Sequence, residues 1–87
     1  MNLKDKVAIV TGAGSGIGHA TAICLAAEGV KVIANYSQSE EGALEVVEKI
    51  RNDGDVAIPF RADVSIEHEV QDMVTHTFMV FEKLIFW

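Results

Sequence analysis

Val7-Ala8-Ile9-Val10-Thr11-Gly12-Ala13-Gly14-Ser15-Gly16-Ile17-Gly18 is the stretch on which the reading of this chain turns. Its first four residues are apolar without a polar alternate, which is the pattern of a strand covered on both faces, as in a parallel sheet. Thr11 and Gly12 close that run. The glycines that follow let a backbone bend sharply out of a strand where Cβ atoms would obstruct the turn. From Ile17 the spacing becomes helical, with Ile17, Thr21, Cys24 and Leu25 sharing a side, until Glu28 and the helix-stopping Gly29.

Outward from that stretch the alternation repeats. Lys31 to Asn35 holds the apolar Val32-Ile33-Ala34, a second strand, and the polar Tyr36-Ser37-Gln38-Ser39 follows it. Ser37 and Glu40 stand at capping-box spacing, and Ala43, Val46, Val47 and Ile50 predict a helix running towards Asp53 and Gly54. Val56 to Phe60 reads as a third strand, in which Pro59 suits an edge or an end because it cannot donate to a ladder. After Asp63-Val64-Ser65, with Ser65 as the expected N-cap, Val70, Met73, Val74, Thr77, Phe78 and Phe81 form a stripe of helical period. Lys83-Leu84-Ile85-Phe86-Trp87 begins a fourth strand.

Strands alternating with helices imply parallel pairing through right-handed crossovers. The expected fold is α/β: a Rossmann-like βαβαβα half of a doubly wound parallel sheet, truncated at the start of its fourth strand. With 87 residues, the chain is one partial domain, since domains commonly hold about 100–150 residues. In the expected order the third, second and first strands pair in sequence. That leaves the first strand as an open edge and a route to self-association.

Composition narrows the function classes. Apolar residues make up 49% and charged residues 23% of the chain, a globular balance. Thirteen acidic against seven basic residues give a net charge of −6, and no basic stripe is present to bind nucleic acid. The single cysteine, Cys24, has no intrachain disulfide partner, and its neighbours Ala22, Ile23 and Leu25 place it as a small buried hydrophobe. Apolar stretches such as Ala22 to Ala27 fall far short of the roughly 20 residues that span a bilayer. Val7 to Val10, behind Lys4 and Lys6, is shorter than the about 7–15 residues of a signal-peptide core, and a cytoplasmic location is expected.

The turn from Thr11 to Gly18 carries the chemistry. A glycine-rich exit from a strand lets a pyrophosphate approach the backbone, and free N–H groups at the positive end of the next helix meet its charge. The common G-x-G-x-x-G pattern is absent, because counting from Gly12 and Gly14 puts Ile17 in the third place. The spacing present is T-G-x-x-x-G-x-G, through Gly12, Gly16 and Gly18. The phosphate loop of NTPases is excluded, since His19 follows Gly18 where that loop needs lysine.

T-G-A-G-S-G-I-G after V-A-I-V, together with Ala62-Asp63-Val64 after the third strand and V-F-E-K-L at Val80 to Leu84, resembles the N-terminal part of the short-chain dehydrogenases/reductases. Asn35-Tyr36 before a glutamate-rich helix looks most like the 3-oxoacyl-[acyl-carrier-protein] reductases among them. The resemblance implies an NAD(P) cofactor, with Thr11, Gly12, Ser15, Gly16, Ile17 and Gly18 around its phosphates and ribose. It implies Asn35, Tyr36 and Ser37 near the adenosine ribose, and Asp63 and Val64 beside the adenine. Asp63 either accepts from the adenine amino group or caps the next helix, and Tyr36 either packs over the cofactor edge or ends its strand. An acid about 20 residues past the glycines would favour NAD. Asn35 and Tyr36 stand there instead, so NADP is expected, although the Tyr36 to Ser39 loop brings no Arg or Lys.

The family continues with an N-N-A-G motif, a catalytic Ser and a Tyr-x-x-x-Lys pair. Here Tyr36 is the single tyrosine and Glu40 stands four residues later, so no catalytic residue and no metal ligand is assigned. Where the family pattern runs K-L-D-I-L-V, this chain has Lys83-Leu84-Ile85-Phe86-Trp87. Two readings stay open: the cofactor-binding portion of a short-chain oxidoreductase, including a truncated gene product, or a non-catalytic nucleotide-binding or interaction module.

Overall fold

The computed structural model describes residues 4–81 and 85–86. The elements alternate as β1 (Val7–Val10), α1 (Gly16–Ala27), β2 (Lys31–Tyr36), α2 (Glu40–Asn52), β3 (Ala57–Arg61), α3 (Glu67–Phe81) and β4 (Ile85–Phe86). The strands form one parallel sheet in the order β3-β2-β1-β4. This is the expected half of a doubly wound sheet. All four residues of β1 are buried, which is why its sequence has no polar alternate.

Strand side chains alternate between faces, and two cores result. Ala8, Val10, Val32 and Ala34 pack with α1 and α2 through Ala22, Ala26, Val46 and Ile50. Val7, Ile9 and Ile33 pack on the other face with Ala62 and with Met73 of α3. Each fully buried aliphatic side chain of this size contributes about 1.5–3 kcal/mol. In α3 the buried Thr77 hydroxyl donates to the Met73 carbonyl at 2.8 Å, so a polar residue on the inward face is satisfied within its own helix.

Local details differ from the sequence reading. α1 turns Ala22, Leu25 and Ala26 inward, whereas Ile17 is 87% exposed and Cys24 is exposed. The small alanines form the face that lies close to the sheet, and the larger Ile17 stands in the first turn, beyond the sheet's cover. α2 starts at Glu40 with Ser39 as its N-cap residue. The capping box expected of Ser37 and Glu40 is not formed, because the Glu40 carboxylate accepts from the Tyr36 hydroxyl at 3.0 Å. α3 starts at Glu67, one residue too late for Ser65 to be its N-cap. Ser65 instead donates both its N–H, at 2.9 Å, and its hydroxyl, at 2.7 Å, to the Asp63 carboxylate. β3 runs one residue later than expected and ends on Arg61. Phe78, in the apolar stripe of α3, is 48% exposed; the side chains of Phe81, Phe86 and Trp87 lie outside the described residues.

The two sides of the sheet differ in a way that bears on assembly. β1 is not the open edge that the strand order implied, because Ile85 and Phe86 pair with Ala8 and Ile9. β3 is an edge. Val32 donates to the Val56 carbonyl and Ala62 donates to the Tyr36 carbonyl, so even-numbered residues of this segment face β2 and odd-numbered ones face outward. Pro59 is therefore an outward residue and costs the ladder no bond. The outward Ala57 carbonyl accepts from Arg51 Nε at 2.9 Å.

Candidate functional site

The β1–α1 turn and the carboxyl end of β2 are joined by a hydrogen bond from the Ala13 N–H to the Asn35 carbonyl at 2.9 Å. Gly12 and Gly16 hold φ of +63° and +57°, and a Cβ at either would point into open space. Their need for glycine is conformational. Gly14 and Gly18 are constrained by contact instead. A Cβ on Gly18 would fall on the Gly12 carbonyl, so α1 sits directly on its own turn. A Cβ on Gly14 would strike Ser39, and one on Gly42 would strike the Gly14 carbonyl. The turn and the start of α2 thus meet glycine to glycine. Gly42 escaped the sequence reading because a glycine inside a helix has no motif to announce it.

α1 begins without help from its own side chains. Its N-cap residue Ser15 is extended (φ −160°), makes no capping bond through its hydroxyl, and is followed by no acidic residue in the first turn. The first N–H groups of a helix have no intrahelical acceptor. Here they stay available to an anion, with the helix dipole in favour. α2 and α3 carry Glu40 and Glu41, and Glu67 and Glu69, at the same place.

A cleft of about 220 Å³ opens between Gly12, Gly14 and Ser15 on one side and the Tyr36–Ser39 segment on the other. A wider one of about 550 Å³ adjoins it and shares Ser37 and Gln38, with Arg61, Asp63, Ile66 and Glu69 as its far wall. Both lie at the carboxyl ends of parallel strands, where open α/β sheets bind ligands. Of the residues singled out from the sequence, Gly12, Ser15, Tyr36, Ser37 and Asp63 line these clefts. Gly16, Ile17 and Gly18 continue the turn into α1, and Thr11 leads into it from β1. Val64 is exposed on the turn after Asp63 and lines neither cleft. Asn35 is buried, and its amide donates to the Phe60 and Ala62 carbonyls at 3.3 and 3.1 Å. That bond set clamps the ends of β2 and β3 together.

Two side chains have shifted acidity. Burial raises the Tyr36 pKa, the hydrogen bond to Glu40 and that carboxylate's charge raise it further, and Arg61 opposes them. The phenol therefore stays protonated and donates. Hydrogen bonds from the Ser65 hydroxyl and N–H hold the Asp63 carboxyl below its ordinary value, which keeps an acceptor ionised at the rim. The Asp63 N–H donates to Glu69 Oε1 at 3.0 Å. Gln38 and Arg61 line the clefts without having been singled out from the sequence. Arg61 had one signal there: it is the polar residue that follows the apolar run Val56 to Phe60, two positions before Asp63.

A parallel βαβ sheet with a glycine-rich first turn and an unguarded helix terminus defines the Rossmann class of dinucleotide-binding folds. Residues 6–85 match the short chain dehydrogenase family, and the chain belongs to that family. It is 47% identical over 74 residues to the short-chain dehydrogenase/reductase homolog YusS of Bacillus subtilis, covering 85% of this chain and 68% of that protein. It is 44% identical over 82 residues to a 3-oxoacyl-[acyl-carrier-protein] reductase of Synechocystis, covering 94% of this chain and 33% of that enzyme. A short chain dehydrogenase of Burkholderia cenocepacia, solved in complex with NADP, superposes with a TM-score of 0.89 at 38% identity, covering 97% of this chain and 34% of that one. The chain thus spans about two thirds of the first relative and a third of the other two. Among the described residues no helix is long and apolar enough to cross a membrane.

Proposed function

We propose that this chain binds NADP as the cofactor-binding portion of a short-chain oxidoreductase of the cytoplasm, and does not by itself reduce a carbonyl. The observation that carries the reading is the start of α1, with its unused amide donors and no carboxylate of its own, beside a cleft open to the end of β2. Gly12, Ser15, Gly16, Ile17 and Gly18 surround the cofactor phosphates and ribose. Thr11 supports the turn from the end of β1. Tyr36 and Ser37 take the adenosine ribose, with Asn35 fixing their backbone, and Asp63 and Val64 flank the adenine. The absence of a carboxylate from Asn35 and Tyr36 favours the 2′-phosphorylated cofactor.

When bound, the nicotinamide supplies the hydride that the family moves between carbonyl and hydroxyl groups. This chain's residues bind and orient it. General acid catalysis needs a proton donor near the reacting carbonyl, and Tyr36 instead donates to Glu40 at the adenosine end. Calorimetric titration of the 87-residue chain with NADP and NAD tests the reading: saturable NADP binding is expected, and heat from neither would overturn it. NADPH oxidation with a ketone or acetoacetyl substrate should be undetectable, and turnover would overturn the claim of incompetence.

A second reading, an interaction module that meets a partner chain, is favoured by the exposed Phe78, Met79 and Val80 at the end of α3. Self-association through an exposed sheet edge belongs with it. A concentration-dependent mass in light scattering is its expected sign, and a monomer at high concentration would remove it.

A further inference from the structure

The loop after β2 offers no cation, yet the wider cleft has one in its far wall. Arg61 pairs in register with Tyr36 across β2 and β3, so the two side chains leave the same face of the sheet. It lines the cleft with Ser37 and Gln38. It is exposed, and its guanidinium makes no hydrogen bond or ion pair among the described residues. The two carboxylates in the same wall are already engaged, Asp63 by Ser65 and Glu69 by the Asp63 N–H. The Glu40 carboxylate of α2 accepts from Tyr36. The arginine is close enough to Tyr36 for its charge to act on that phenol.

An exposed guanidinium without a partner, flanked by hydroxyl and amide side chains, matches a phosphate monoester. The planar fork takes two phosphate oxygens and the neighbours take the third. We infer that Arg61 receives the ribose 2′-phosphate, with Ser37 and Gln38 beside it, so that the choice of NADP over NAD is made from the end of β3. This rests on the dinucleotide reading above and names the residue that gives it its preference.

The test compares the full chain with Arg61→Gln and Arg61→Lys, titrated with NADP, NAD, 2′,5′-ADP and 5′-AMP, with circular dichroism as the control for folding. Arg61→Gln is expected to weaken NADP and 2′,5′-ADP roughly tenfold to a hundredfold, the value of a lost charged hydrogen-bond pair. NAD and 5′-AMP should change by less than about twofold, because they lack the group the arginine holds. Arg61→Lys should fall between, keeping charge but losing the fork. If the glutamine variant weakens all four ligands alike, or none, the assignment to Arg61 is overturned while the dinucleotide reading stands. If the unaltered chain binds none of them, the dinucleotide reading fails and this inference fails with it.

Discussion

α1 starts with Gly16-Ile17-Gly18-His19 and α2 with Glu40-Glu41-Gly42-Ala43, and the two starts meet where Gly14 lies against Gly42. α2 carries carboxylates in its first turn and basic Lys49 and Arg51 in its last, so its own side chains answer its dipole. α1 does neither. Its first turn has no acid, its N-cap hydroxyl makes no capping bond, and its last turn has no base. The difference shows which terminus serves the helix and which serves a ligand. In a chain of net charge −6, keeping every acid off one helix start is the arrangement that leaves it open to a phosphate.

The largest expected effect comes from prising the two starts apart. Gly42→Val drives a side chain into the Gly14 carbonyl. Overpacking of that kind costs about 1–3 kcal/mol, so the thermal midpoint should fall by roughly 4–8 °C per kcal/mol for a domain of this size. An unchanged midpoint would mean that the turn and α2 are not held in contact.

Giving α1 what α2 already has sharpens the contrast. Ser15→Asp adds a capping carboxylate and should stabilise the fold by about 0.3–1 kcal/mol, while dinucleotide affinity falls at least about tenfold through repulsion of the phosphates. Stability and binding moving in opposite directions is the signature. A variant that gains stability and still binds as before would break the comparison. The converse change is smaller: Glu41→Gln should lower stability by about 0.3 kcal/mol, measured by denaturant titration, without altering affinity.

The smallest effect sits at the start of α3. Hydrogen bonds from Ser65 lower the Asp63 pKa in the folded chain, so their contribution is present above the unfolded carboxyl's value and is lost as pH falls through the lowered one. Ser65→Ala should therefore melt slightly below the unaltered chain near neutral pH, and the gap should close below about pH 3.9, the ordinary aspartate value. A gap that is constant with pH would assign it to something other than this carboxylate.

Periodicity made most of the fold legible. The apolar run Val7–Val10, the glycine spacing and the Val46-Val47-Ile50 stripe each obey a local rule, and the parallel order follows from their alternation. What escaped depends on contacts between elements. Nothing local tells Glu40 to meet Tyr36 rather than cap a helix, or tells Ser65 to bond to Asp63 rather than to α3. The spacing of Ile17 and Cys24 fits a helical face, yet the sheet covers the alanines beside them. The site divides in the same way. Its turn is a motif, whereas Arg61 enters only because register sets it next to Tyr36.

Pro59 and Arg51 give the sheet a direction of growth. A sheet edge recruits another chain through repeated outward donors and acceptors. On β3 the central outward position has no donor, and the carbonyl two residues before it is occupied by Arg51. Strand addition there would have to begin against a gap and a blocked site, so any stacking of chains into ribbons is steered away from β3. Pro59→Val combined with Arg51→Ala should restore the template. It should shorten the lag of aggregation measured by thioflavin fluorescence, while each single change does less.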